Sequence, residues 1–464
     1  MNPSSFSSAG WTLRAVGALA LCACLDAVAA EPTPTVIVDI HALGFDGVEA
    51  IKSDAGVRWS AEFGNEMLLG VDRAYVDRWL ARPRVRAGLG QLAREEILVR
   101  DHLCADLSVK PAMGVVGGYE ILREPASLVR YAARTEWLNA VPDNGVYSRE
   151  VANSPELRRV LGADPAIAAI TARVNVDRWF AQVESLAAFN RNTLSPALPA
   201  ARMHIQNQFI DAQLVSESFN FNFAGVTACG SPPPTLALVN PIGRKIGSQL
   251  ADEWIVVGAH YDSRNVVRCD GNTAPQPGAN DNASGCAGVI ELARVFQGVS
   301  TARSILFMCF AGEEQGLIGS RRYVESLQAS GEIARVKHMI NLDMIGYAVN
   351  DSLAARVDTN SSNQALINQY VDAAQTYAPE LSLITSITTS ANSDHWYFLN
   401  AGVPSAFTWE NGAGIYPHYH QETDIPANMT RAKPLAGGIL KMDAAVLAQV
   451  AGLVVDSFKD GFEE

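Results

Sequence analysis

Residues 254–263 read WIVVGAHYDS, and residues 303–320 read RSILFMCFAGEEQGLIGS. In each, a short apolar run rich in β-branched or aromatic residues stops at a small residue and gives way to polar and charged side chains. A strand that is apolar on both faces belongs inside a sheet covered on both sides. Trp254–Gly258 and Arg303–Phe310 are therefore predicted as buried strands, and Leu236–Val239, Val336–Leu342 and Ser405–Phe407 repeat the pattern. Around them, Cys286–Phe296, Leu317–Ser326, Asn363–Tyr377 and Gly437–Phe458 carry helical apolar spacing. This alternation predicts an α/β fold: a mostly parallel central sheet with helices on both faces. Sites in such sheets gather at the carboxyl ends of strands. The polar residues of this sequence fall there.

Toward the N-terminus, helical patterns run over about Asn175–Phe189 and Ala200–Leu214. Residues 31–165 differ in texture. They mix short β-like runs (Pro34–Ile40, Glu66–Val71) with a helical stretch, Ala74–Ala81, that Pro83 would end. No motif there carries chemistry, so this part is predicted as a smaller α+β extension, accessory or propeptide-like, and residues 166–464 as the unit holding the site. "VDRWL" at Val76–Leu80 and "VDRWF" at Val176–Phe180 read as two unrelated amphipathic helices.

Residues 1–30 read as a signal peptide. Arg14 precedes the apolar run Ala15–Leu25, and Val28-Ala29-Ala30 offers a cleavage site. Its length of about eleven residues falls short of the about 20 that span a bilayer. Leu21-Cys22-Ala23-Cys24 loosely resembles a lipobox, which would lipidate Cys24 instead. The expected protein is exported, secreted or periplasmic, with no stable membrane span.

The chain has 464 residues, 48% of them hydrophobic and 18% charged, as a globular protein does. Its 36 Lys+Arg against 49 Asp+Glu give a net charge of −13. That balance argues against nucleic acid and anionic membranes as partners. Cys229 and Cys269 sit in loops rich in Gly, Pro and Asn and are predicted to pair in an oxidising compartment. Cys286 and Cys309, in an apolar helix and strand, read as buried free thiols. No cysteine spacing makes a zinc-thiolate site.

His260 and Asp262 close the first strand two residues apart, on one face. A metal-bound imidazole needs an acceptor for its other nitrogen, and a carboxylate two residues on suits that. Asp281 stands in Gly278-Ala279-Asn280-Asp281-Asn282-Ala283-Ser284-Gly285, just before a helix. Glu313 and Glu314 follow the next strand, Asp343 follows Asn341-Leu342, and Ser393-Asp394-His395 and Pro417-His418-Tyr419-His420-Gln421-Glu422-Thr423-Asp424 come last. Singly, each has a plain structural explanation, such as a helix cap or a solvated turn. Together they make a mixed nitrogen and oxygen ligand set that suits zinc. His418 and His420 compete for its last position.

These blocks, in this order, resemble the M28 family of co-catalytic di-zinc aminopeptidases, which includes bacterial leucyl aminopeptidases. The resemblance covers roughly residues 175–458 and implies a phosphorylase/hydrolase-like fold and two Zn²⁺ ions. It implies that Asp281 bridges the metals, that His260 and Asp343 complete one, and that Glu314 and His420 complete the other. Glu313 would be the general base, Asp262 a support behind His260, and Tyr419 a hydrogen-bond donor to the developing oxyanion. It also implies a cis peptide after Asp281. The family's last block is usually H-T-x-x-D; here His420-Gln421-Glu422-Thr423-Asp424 keeps the spacing and favours His420 over His418. Ser393-Asp394-His395 goes to the pocket wall or to ligand support.

The implied chemistry is hydrolysis of the N-terminal bond of peptides with a free N-terminus. Two zinc ions bring four positive charges against three from Asp281, Glu314 and Asp343, leaving one for a bridging hydroxide to neutralise. No Arg-rich block is present to clamp a C-terminal carboxylate, though Arg264 and Arg268 stand near His260. Trp396, Phe398 and Phe407 point to a large apolar first residue such as Leu. The alternatives are a glutaminyl cyclase-like zinc aminoacyltransferase, a carboxypeptidase or dipeptidase on the same scaffold, and a binding module that has lost catalysis. An intact ligand set speaks against the last.

Overall fold

Apolar side chains on both faces hold the strand Leu250–His260 in the middle of an eight-stranded sheet. The protein is described by a computed structural model over residues 31–40, 50–52, 54–63, 66–101, 113–116, 119–123, 139–140, 145–147, 163–224, 229, 235–265, 269, 271, 275–359, 363–387, 393–410 and 416–454. The expected signal peptide and Arg268 lie outside the described residues.

The sheet's strands are β1 (Val215–Ala224), β2 (Thr235–Lys245), β3 (Leu250–His260), β4 (Arg303–Phe310), β5 (Val336–Leu342), β6 (Ala354–Thr359), β7 (Ser382–Ile387) and β8 (Ser405–Glu410). Their spatial order is β1-β2-β4-β3-β5-β8-β6-β7. The four central strands, β4, β3, β5 and β8, run parallel. Antiparallel pairing enters outside them, between β1 and β2, β2 and β4, and β6 and β8. Side-chain alternation along β3 explains the two-sided cover. Ile255 and Val257 join a core with the helices Val176–Ala187, Leu198–Asp211, Gly285–Val295, Gln364–Tyr377 and Ala432–Ala451. Trp254 and Val256 join a second core with Tyr323 and Leu327 of the helix Ile318–Ser330 and Phe398 of the helix His395–Asn400. The chain crosses from β3 to β4 on one side and then from β4 to β5 on the other side of β3. The carboxyl end of β3, where His260 stands, is thus a switch point where a crevice opens.

Several boundaries differ from the sequence reading. The last helix runs Ala432–Ala451, starting earlier and stopping sooner than expected. Pro434 sits in its first turn, where no amide is lost, and Gly452 ends it at φ 71°. This helix is long and apolar enough to cross a membrane, but 78% of its most apolar window is buried in the protein. Cys229 and Cys269 are paired. Cys286 and Cys309 are also paired rather than free, tying the helix Gly285–Val295 to β4. The local pattern placed each on an apolar face but could not show that the two faces meet.

In the N-terminal part, Val85–Leu92, Thr33–Asp39, Glu66–Val71, Val57–Phe63 and Gly145–Tyr147 form a five-stranded sheet. Gly114–Val116, Tyr119–Arg123, Ile97–Asp101 and Asn139–Ala140 form a four-stranded one. Their cores share no residue with the two cores of the central sheet among the described residues. Trp79 seats in an N-terminal core and Trp179 in the central one, so the matching pentapeptides serve different hydrophobic cores.

Candidate metal centre

Three parallel strands deliver side chains to one spot. His260 ends β3, and its Nε2 lies 3.2 Å from Asp281 Oδ1 and 3.4 Å from Asp343 Oδ1. Its Nδ1 lies 3.1 Å from the Asp262 carbonyl, an acceptor, which makes Nδ1 the protonated nitrogen and turns Nε2 toward the acids. His420 approaches from the C-terminal loop, with Nε2 3.0 Å from Asp281 Oδ2 and 3.2 Å from Glu314 Oε2. Two groups result, His260–Asp281–Asp343 and Asp281–Glu314–His420, each with ligand atoms mutually within 4.8 Å. Asp281 belongs to both. Glu313 joins a third group with His260 and Glu314, its Oε2 3.8 Å from His260 Nε2. His418 is not among these groups; its Nδ1 faces Thr423 Oγ1 at 2.8 Å.

The backbone that presents these side chains is unusual at several points. Gly278 has φ +46°, and a Cβ there would stand 2.3 Å from the Asp281 carbonyl oxygen, so only glycine fits the turn. Met344, next to Asp343, has φ 55°, and His420 itself has φ 53°. Left-handed conformations cost non-glycine residues about 1 kcal/mol or more, and they cluster at functional sites. The Asp281–Asn282 peptide bond is cis, as the resemblance implies.

Buried carboxylates outside the two groups hold the loops by their amides. The Asp262 carboxylate accepts from the amides of Glu313 at 3.1 Å and Glu314 at 3.2 Å, and from Thr193 Oγ1 at 2.7 Å. Its Oδ1 is 3.7 Å from His260 Nδ1, so it braces the glutamate turn more directly than the imidazole. Asp424 repeats the device, accepting from the amides of Asn280 at 2.8 Å and Asp281 at 3.0 Å. Ser393 donates to Asp343 Oδ2 at 2.7 Å and accepts from Asn341 at the same distance. Arg191 donates to the carbonyls of Tyr261, Leu186, Pro277 and Gly278. The sequence reading missed Arg191 and Thr193, because both lie outside the ligand blocks and act on groups distant in the chain.

The electrostatics describe a strained cluster of acids. Burial pushes Glu313 well above the usual carboxylate range; His260 opposes this, while Glu314 and Asp343 add to it. Burial also raises Glu314 and Asp343. Asp281 goes the other way: burial would raise it, but the bonds to His260 and His420 prevail and lower it. Burial lowers His260, yet Asp343 and Glu313 outweigh that and carry it well above its ordinary value. Among the described residues, buried Asp343 Oδ1 accepts no hydrogen bond. Converging buried acids with an unmet oxygen call for a cation. Two imidazoles with carboxylates, and no thiolate, fit zinc.

The model of peptidase family M28 matches residues 240–438, which contain every residue of these groups. This stretch of the chain belongs to peptidase family M28. Aminopeptidase YwaD of Bacillus subtilis is 33% identical over 216 residues, 46% of this chain and 44% of that protein. Leucine aminopeptidase 1 of Trichophyton rubrum is 33% identical over 184 residues, 37% of this chain and 48% of that protein. The chain spans less than half the length of these curated relatives. Among solved structures, LapB from Legionella pneumophila aligns over 90% of this chain and 99% of its own, with a TM-score of 0.53 and 16% identity. A zinc aminopeptidase from Bacillus subtilis aligns over 60% of this chain and 95% of its own, with a TM-score of 0.50 and 18% identity. These two likenesses show the shared α/β fold of the M28 region.

Proposed function

We propose that this chain is an exported zinc aminopeptidase, hydrolysing the N-terminal bond of peptides with a free N-terminus. The observation that carries the reading is Asp281, shared by two ligand groups that each bring one imidazole. His260, Asp281 and Asp343 would hold one zinc ion, and Asp281, Glu314 and His420 a second. When bound, such ions polarise a carbonyl and make water a better nucleophile at neutral pH. The zinc aminopeptidases and zinc metalloproteases among its relatives support this reading.

Glu313 is the acid left to move protons. Its side chain is 16% exposed, against 4% for Asp281, 3% for Glu314 and 10% for Asp343. It would take a proton from the attacking water and give it to the leaving amine. Tyr419 stacks on the His420 ring at 3.7 Å, and burial with the nearby acids keeps its phenol protonated, ready to donate to an oxyanion. Asp262 fixes both glutamates through their amides. The surplus of acid favours a substrate ammonium beside the scissile bond.

Two disulfides support export, since such bonds persist in oxidising compartments. Leucine p-nitroanilide and its N-acetyl form, compared at saturating zinc, test the activity. Turnover of the free amine alone is expected. Equal rates would contradict a site that reads the ammonium.

A further inference from the structure

Two guanidinium groups are buried beside the metal centre, and the fold uses them differently. Arg191 is fully buried and spends its nitrogens on four backbone carbonyls. Arg264 is 5% exposed, and only its Nε is engaged: it donates to the Asn265 carbonyl at 3.3 Å and approaches Glu314 Oε2 to 3.9 Å. Among the described residues, its two terminal amino groups have no hydrogen-bond acceptor. The contact with Glu314 is longer than a hydrogen bond and does not use the planar fork. The amino groups keep some access to solvent, which leaves the fork open to an acceptor brought by a ligand.

The position fits a ligand. Arg264 stands on the Glu314–His420 side of the centre, close enough to Tyr419 and His420 to bear on their ionisation. A fork of this kind matches a carboxylate. In a dipeptide the carboxyl carbon lies about 2.5 Å from the scissile nitrogen. A carboxylate so near the reacting bond falls within reach of a group 3.9 Å from Glu314.

We propose that Arg264 is a specificity-determining residue that binds a substrate carboxylate close to the scissile bond. The inference rests on the aminopeptidase reading. The carboxylate has two possible sources, the C-terminus of a dipeptide and an acidic first side chain.

Calorimetry on the zinc-loaded full chain tests it with Leu-Gly whose peptide bond is reduced to CH₂–NH, as the free acid and as the C-terminal amide. The acid is expected to bind at least about tenfold tighter, as a charge-assisted bidentate pair allows. Arg264→Gln should bring the ratio near one, and Arg264→Lys, a charge without a fork, should lose most of it. Comparing kcat/KM for glutamate and glutamine p-nitroanilides reads the side-chain source; a preference there alone assigns the carboxylate to the first residue. No acid preference in either pair, or one that Arg264→Lys retains in full, overturns the proposal. Where Arg264→Gln does not fold or hold zinc, the wild-type ratios and the Lys variant decide. Leu-Gly-amide against its N-acetyl form, neither carrying a carboxylate, tests the aminopeptidase reading separately.

Discussion

Glu313 and Glu314 are chain neighbours set to different tasks by what they face. Glu314 lies 3.2 Å from His420 with 3% of its side chain exposed, whereas Glu313 stands 3.8 Å from His260 with 16% exposed. Between two left-handed glycines, Gly312 and Gly316, their short helical turn points successive side chains in different directions. Glu313→Gln should therefore lower kcat by roughly 10²–10⁴ while zinc stays bound. Glu314→Gln should lose zinc. Elemental analysis of both variants checks this, and metal loss from the Glu313 variant alone would reverse the assignment. At this scale the sequence was informative about identity and silent about direction. It named His260, Asp281, Glu313, Glu314, Asp343 and His420, but not that the Asp262 carboxylate would turn to the Glu313 and Glu314 amides.

The central strands β3 and β4 were legible because burial on both faces leaves an unbroken apolar run, residues 254–259 in one and 305–310 in the other. The outer strands β1, β6 and β7 were not. β1 alternates apolar and polar residues, and β6 and β7 are short, with polar residues that a local reading takes for loop. Phe398, expected near the substrate, is instead fully buried in the core behind β3 and β4, because the helix His395–Asn400 packs that face inward. The helix Ala432–Ala451 carries a buried acid, Asp443, whose Oδ2 accepts from Thr408 Oγ1 at 3.0 Å and whose Oδ1 has no hydrogen-bond partner. Burial pushes Asp443 up to about 8, against the single bond from Thr408. The unfolded chain releases this proton near pH 4, so the native state holds more protons between about pH 4 and 8. Stability should fall as pH rises through that window, by at most about 4 kcal/mol at pH 7 from this group. Asp443→Asn should raise the Tm at pH 7 and flatten its decline with pH. Thermal unfolding from pH 5 to 8.5 reads both, and parallel curves for variant and wild type would remove Asp443 as the cause.

On the scale of the molecule, the described N-terminal sheets have cores of their own, and none of their residues enters the ligand groups. A fragment beginning near residue 163 should fold, bind zinc and turn over leucine p-nitroanilide within about tenfold of the full chain. A folded, zinc-loaded but inert fragment would show that the N-terminal part contributes to the site. The helix Pro165–Thr171 packs with the central sheet: Ile167 and Ile170 belong to its core, and the Asp164 amide donates to Tyr377 Oη at 3.0 Å. The sequence reading expected a change of texture near residue 165, from short mixed runs to helical apolar spacing.

The ligand groups around Asp281 predict two cation sites that share its carboxylate. Titrating the chelated full chain with zinc, while following hydrolysis of leucine p-nitroanilide, tests this most directly. Two equivalents per chain should bind, with full activity reached only as the second is taken up, and Asp281→Asn should weaken both. Saturation of binding and activity at one equivalent, or two tight sites surviving in Asp281→Asn, would rule out two sites that share Asp281.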